Sequence, residues 1–237
     1  MATERTLDDI VATLAADLVP VRRLRAPPVR AAAWIGLVAA MAVGLAFFCD
    51  LPALGRRLTS APDLWIAAVG STVTAILAAL AAFELSVPGR GARWALLPVP
   101  TLLLWISASG MGCLRTWAMP EAEGAVAGAA RHCLVSIVMM SVPLMAVMLM
   151  MVRRACPLRP NITALVSGLA IAAASATLLN FDHPYDASAT DLLAHLVALL
   201  LVMAFNQALA HFSMARAALA RRSARRPTPP ASDGTTS

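Results

Sequence analysis

Cys133–Val152 reads CLVSIVMMSVPLMAVMLMMV, twenty residues without a charge, and Arg153 and Arg154 follow at once. About 20 apolar residues, each rising ~1.5 Å along a helix, cover the ~30 Å hydrocarbon core of a bilayer. The stretch is therefore read as a transmembrane helix, and Pro143 inside it predicts a kink. Outward from it lie five more blocks of the same kind: Ala31–Cys49, Leu64–Phe83, Trp94–Cys113, Ile162–Asn180 and Leu192–Phe212. None shows the period-two alternation of a barrel strand. Pro98 and Pro100 fall in the first turns of the third block, where a missing amide donor costs little. Ser86-Val87-Pro88-Gly89-Arg90, between the second and third blocks, is a turn built on a Pro-Gly pair. The expected fold is an all-α bundle of six transmembrane helices.

Composition agrees with that reading. Of 237 residues, 59% are hydrophobic and 14% charged, with a mean hydropathy of +0.74. A soluble domain is nearer half apolar and a quarter charged. No stretch outside the apolar blocks is long enough to bury a core of its own, which excludes a separate soluble catalytic domain. The first block starts behind an arm bearing Asp8, Asp9 and Asp17 and is too long for a signal-peptide core, so it is read as a retained span. No GxSxG, Walker-type loop or HExxH is present, and the chain is expected to be neither an enzyme nor the holder of a cofactor.

The basic residues set the orientation. All 19 are arginine, and they gather at block ends. Arg22, Arg23, Arg25, Arg30, Arg90, Arg93, Arg153, Arg154, Arg159, Arg216, Arg221, Arg222, Arg225 and Arg226 fall on the side that holds both termini. The opposite side has Arg56, Arg57, Arg115 and Arg131. With Arg5 at the far end of the arm set aside, fourteen against four places both termini in the cytoplasm by the positive-inside rule, and makes direct nucleic-acid binding the poorer explanation of a pI near 10.4. The expected location is the bacterial inner membrane, crossed several times. Three parts follow: a cytoplasmic arm over 1–26, the transmembrane domain over 27–215 and a disordered Arg/Pro-rich cytoplasmic tail over 216–237.

The arm carries its own signal. Thr6 with Asp9 three residues later resembles a capping box. Leu7, Ile10, Val11, Leu14 and Leu18 then share one helical face, with Asp8, Asp9 and Asp17 around it, until Pro20 stops the helix. An acidic amphipathic helix is ill suited to an anionic membrane surface. It either docks in a groove on a protein partner or folds back on its own bundle.

Several short motifs recur between the blocks. Leu14-Ala15-Ala16-Asp17-Leu18-Val19-Pro20-Val21-Arg22-Arg23-Leu24-Arg25 leads into the first span. Phe83-Glu84-Leu85-Ser86-Val87-Pro88-Gly89-Arg90, Gly112-Cys113, His132-Cys133 and His183-Pro184-Tyr185-Asp186-Ala187-Ser188 follow, with His195 on the next helix. This ordered set resembles the NrsF-type family of membrane anti-sigma factors, over nearly the whole chain to about Leu219. The resemblance implies an inner-membrane protein that holds an extracytoplasmic-function sigma factor through its N-terminal segment and releases it on a signal. In some members that signal involves cysteines and heavy-metal stress. The partner-binding candidates are then Leu7, Ile10, Val11, Leu14, Asp17 and Leu18.

The sensor candidates are Cys113, Cys133, His132, His183, Asp186 and His195. Cys113 ends the third span and Cys133 begins the fourth, both on the oxidising side, where thiols form disulfides or take soft metals. Cys113, Cys133 and His132 are the metal candidates, though a buried Cys is also simply a small hydrophobe and no established zinc spacing occurs. Asp191 and His195 stand i, i+4 at the start of the sixth span and share a face. The acidic residues there read first as a polar network capping the spans. The methionines of the fourth span read as packing. A different class, a small metal-handling or export protein, would need ionisable residues along the interior of several spans, where the sequence shows mainly small hydroxyls.

Overall fold

The structure, a computed structural model, describes residues 7–16, 24–60, 62–118, 126–155 and 157–181, with scattered positions between 197 and 212. The described residues are mostly helical, with no strand among them: α1 (Leu7–Ala16), α2 (Pro27–Ala46), α3 (Leu51–Ser60), α4 (Pro62–Leu85), a 3-10 turn over Ala92–Leu96, α5 (Val99–Ala118), α6 (Val126–Arg153) and α7 (Pro160–Leu179). Five of these helical stretches are long and apolar enough to cross a membrane: α2, α4, Ala92–Met111, α6 and α7. Of the block Leu192–Phe212, the described positions Val197, Leu200, Leu201, Ala204, Phe205, Gln207, Ala208 and Phe212 are helical, and the rest lies outside the described residues.

Helix ends follow local chemistry. Pro27 and Pro28 open α2 after an extended Ala26, where their missing N–H groups go unneeded. Pro160 opens α7 in the same way. Asn180 closes α7 by donating from Nδ2 to the carbonyls of Ala176 (3.1 Å) and Thr177 (3.2 Å), in the last turn where intrahelical donors run out. Asp50 opens α3, its Oδ1 accepting from the Ala53 amide at 3.0 Å. At the end of α4, Gly89 adopts φ +87°, the left-handed conformation that the Pro-Gly turn requires.

The helices alternate in direction, because contacts pair the start of one with the end of another. Arg30 near the start of α2 bonds Ser86 just past α4 and Met151 in the last turns of α6. At the other end, Ser71 of α4 meets Thr177 of α7, hydroxyl to hydroxyl at 3.1 Å. α4 and α7 form the centre, with α5 and α2 on α4, and α6 on α7 and α2. Small side chains are frequent in the buried core that these helices share, with Ala78, Ala79, Ala81 and Ala82 of α4 and Ala170 and Ala172–Ala174 of α7. Small residues let helices approach where apolar solvent gives no hydrophobic drive. The outside is apolar too, as with Leu103, Met139 and Val142, which suits hydrocarbon surroundings. The span-four methionines divide accordingly: Met145 and Met148 are core residues, while Met139 and Met150 face outward. α6 runs as one helix through Pro143.

The α4–α5 contact turns on one glycine. A Cβ added to Gly70 would stand 3.1 Å from both Cα and Cβ of Trp105. Gly70→Val should force the two helices apart and destabilise the purified protein by about 1–3 kcal/mol. Thermal unfolding in mild detergent is the check, and an unchanged midpoint would show that α5 does not pack on α4 as described.

Candidate functional site

Two regions stand out: the arm helix, and a polar junction at the end of the bundle from which the arm departs. In α1, Asp8 and Asp9 occupy the first turn, where acidic groups favour the helix dipole, and both side chains are exposed. Leu7, Ile10, Val11 and Leu14 all lie on this helix, and the Val11 side chain is exposed. The side chains of Leu7, Ile10 and Leu14 lie outside the description, as do residues Thr6, Asp17 and Leu18 altogether.

The junction centres on Arg30, 5% exposed although it is a cation. α2 begins four residues before the expected Ala31, at Pro27, so Arg30 and Trp34 become an i, i+4 pair on its inner face. Arg30 Nη1 donates to Ser86 Oγ at 3.0 Å, and Nη2 donates to the Met151 carbonyl. Ser86 Oγ in turn donates to the Phe83 carbonyl at 2.6 Å. The guanidinium carbon stands 4.8 Å from the centroid of the Phe83 ring, a cation–π contact. Both carbonyls reached, directly or through the serine, belong to the last turns of α4 and α6, where intrahelical donors run out and the dipole is negative. One cation thus closes two helix C-termini while belonging to a third helix. Beside it, Arg90 Nε approaches Glu84 Oε2 at 3.1 Å, folding the Gly89 turn back onto α4. One helical turn deeper, the buried Trp34 indole donates to the Leu144 carbonyl at 3.2 Å, a second tie between α2 and α6.

Sequence reasoning passed over this junction. It counted Arg30 only among the orienting arginines, and it used Phe83-Glu84-Leu85-Ser86 only as a motif. The signal available was Pro27-Pro28, which marks a helix start and puts Arg30 in its first turn.

The sensor candidates are placed less fully. Cys113 is in the last turns of α5 and Cys133 and His132 are in the second turn of α6. α5 runs away from the Arg30 end and α6 runs back toward it, so all three lie toward the far end. Their side chains are outside the description. His183, Asp186 and His195 lie wholly outside the described residues. Cys49, following α2 at that same far end, is a half-buried free thiol.

Apolar helices packed through small residues, with apolar faces outward and charge gathered at helix ends, define an all-helical membrane protein. The chain belongs to the NrsF family, described as negative regulator of sigma F, whose family model matches residues 14–220. Neither a curated protein nor a solved structure matches the chain. The match starts inside α1, so Leu14, Asp17 and Leu18 fall within it, and Leu7, Ile10 and Val11 precede it.

Proposed function

We propose that this chain is an anti-sigma factor of the bacterial inner membrane. It crosses the membrane six times with both termini in the cytoplasm, holds an extracytoplasmic-function sigma factor through its N-terminal arm, and frees it on metal or redox stress. The observation that carries this is the family match over residues 14–220, which takes in the arm segment from Leu14 to Arg25 as well as all six apolar blocks. The arm binds as an apolar stripe of Leu7, Ile10, Val11, Leu14 and Leu18 set in a groove of the partner. Its acidic rim of Asp8, Asp9 and Asp17 meets basic surfaces that the sigma factor otherwise offers to RNA polymerase.

The orientation has support from the bundle. Arg25, Arg90, Arg93, Arg153, Arg154 and Arg159 are exposed at the Arg30 end, and Arg56 is exposed on α3 at the other. That asymmetry supports a cytoplasmic Arg30 end. The hydroxyls inside the helices, such as Ser141, Thr163 and Ser167, bond carbonyls of their own helix. They serve packing more than a conduction path. The test of topology uses a reporter active only outside the cytoplasm. Fused after Ser237 it should be silent, and inserted near Glu123 it should be active. Strong activity at Ser237 would overturn both the topology and the sigma-binding role of the arm.

A further inference from the structure

We propose that Arg30 is a positioning residue that links the ends of α4 and α6 to the arm, so that a shift between those helices moves the sigma-holding segment. The inference rests on the anti-sigma reading and deepens it.

At Arg30 one side chain joins α2, α4 and α6: Nη1 reaches Ser86, Nη2 reaches the Met151 carbonyl, and the guanidinium carbon lies over Phe83. These partners sit 56 and 121 residues away in sequence, so the group reports on their relative position and not on its own helix. Upstream the connection is short. Arg30 N bonds the Ala26 carbonyl at 3.2 Å, and Ala26 is one residue from Arg25, the end of the arm segment. Prolines 27 and 28 stiffen that link, because their rings fix φ. α6 supplies the far input: it runs as one helix from Val126 to Arg153, through Pro143, and so connects the Cys133 end to Met151. Lysine cannot replace the group, since a point charge lacks the planar fork that serves two helices and stacks on the ring.

Energetic coupling is reciprocal, so the arm's partner should in turn affect the junction. The full chain, with all four cysteines replaced by serine and spin labels at Pro88→Cys and Arg154→Cys, is placed in lipid nanodiscs. The distance distribution across α4 and α6 is measured with and without the sigma factor that copurifies with the protein. In the otherwise native chain the sigma factor should shift or narrow the distribution. With Arg30→Gln or Arg30→Lys, the sigma factor should still bind, and the distribution should no longer respond. A purely structural need for buried charge would be met by Lys, so a Lys variant that responds normally overturns the proposal. Phe83→Tyr keeps the ring and should respond, whereas Phe83→Leu should respond less. If Arg30→Gln fails to reach the membrane, Ser86→Ala and Arg30→Lys carry the same comparison. Binding without any change in the Arg30-containing chain overturns this inference alone. No binding to that chain overturns the anti-sigma reading and this inference together.

Discussion

Replacing Leu14 and Leu18 by Asp should leave the target regulon switched on in unstressed cells, at the level of a strain lacking the protein. The two leucines belong to the apolar stripe of the arm, and both fall in the segment that the family match covers. Buried anchor residues in helix-in-groove complexes cost about 2 kcal/mol or more each on truncation. A carboxylate in their place adds a desolvation cost. Together the two changes should remove at least ~4 kcal/mol, about a thousand-fold in affinity. The bundle is untouched, so the variant should reach the membrane in normal amount. Quantifying a sigma-dependent transcript against membrane abundance checks this. Full repression by an abundant variant would show that bundle loops, and not the arm, hold the partner.

The second large effect concerns release. Cys113→Ser combined with Cys133→Ser should give a protein that represses normally and no longer responds to cadmium, chromate or a thiol oxidant. Cys113 lies near the end of α5 and Cys133 near the start of α6, on helices running in opposite directions, so both thiols belong to the end away from Arg30. On the proposed reading, an oxidant would attack the thiolate form of one of this pair. On the same reading, a soft metal would take the pair and displace its protons. Either event would then bias one of two packings of the bundle. Induction of the sigma-dependent transcript should fall from the parental response to none, with Cys49 and Cys156 left native. A normal response would make the cysteines packing residues and turn attention to His183, Asp186 and His195.

Hydropathy located five of the six expected spans among the described residues, because in lipid every backbone polar group must be satisfied within its own segment, so length and apolarity decide. Leu64–Phe83 and Ile162–Asn180 correspond to α4 (Pro62–Leu85) and α7 (Pro160–Leu179) within two residues. Where a charge interrupts an apolar run, the reading fell short. Arg30 hid the true start of α2 at Pro27, and Arg131 with His132 hid the first two turns of α6. α3 went unread because Leu51–Ser60 is too polar to count as a block, although Asp50 and Pro52 together announce a helix start. The candidate cysteines and the arm stripe are read from the local chemistry of the sequence alone. The Arg30 junction is not, because nothing in the local pattern pairs Arg30 with Ser86 and Met151, which are brought to it by the crossing of three helices.

Affinity capture of the full-length tagged protein from its native membranes, with what elutes identified by mass, tests the anti-sigma role most directly. A single extracytoplasmic-function sigma factor should elute with it at about one to one, and should be missing when residues 1–25 are removed from the same chain. Elution with no sigma factor, or with as much sigma factor on the armless chain as on the full one, would contradict the account.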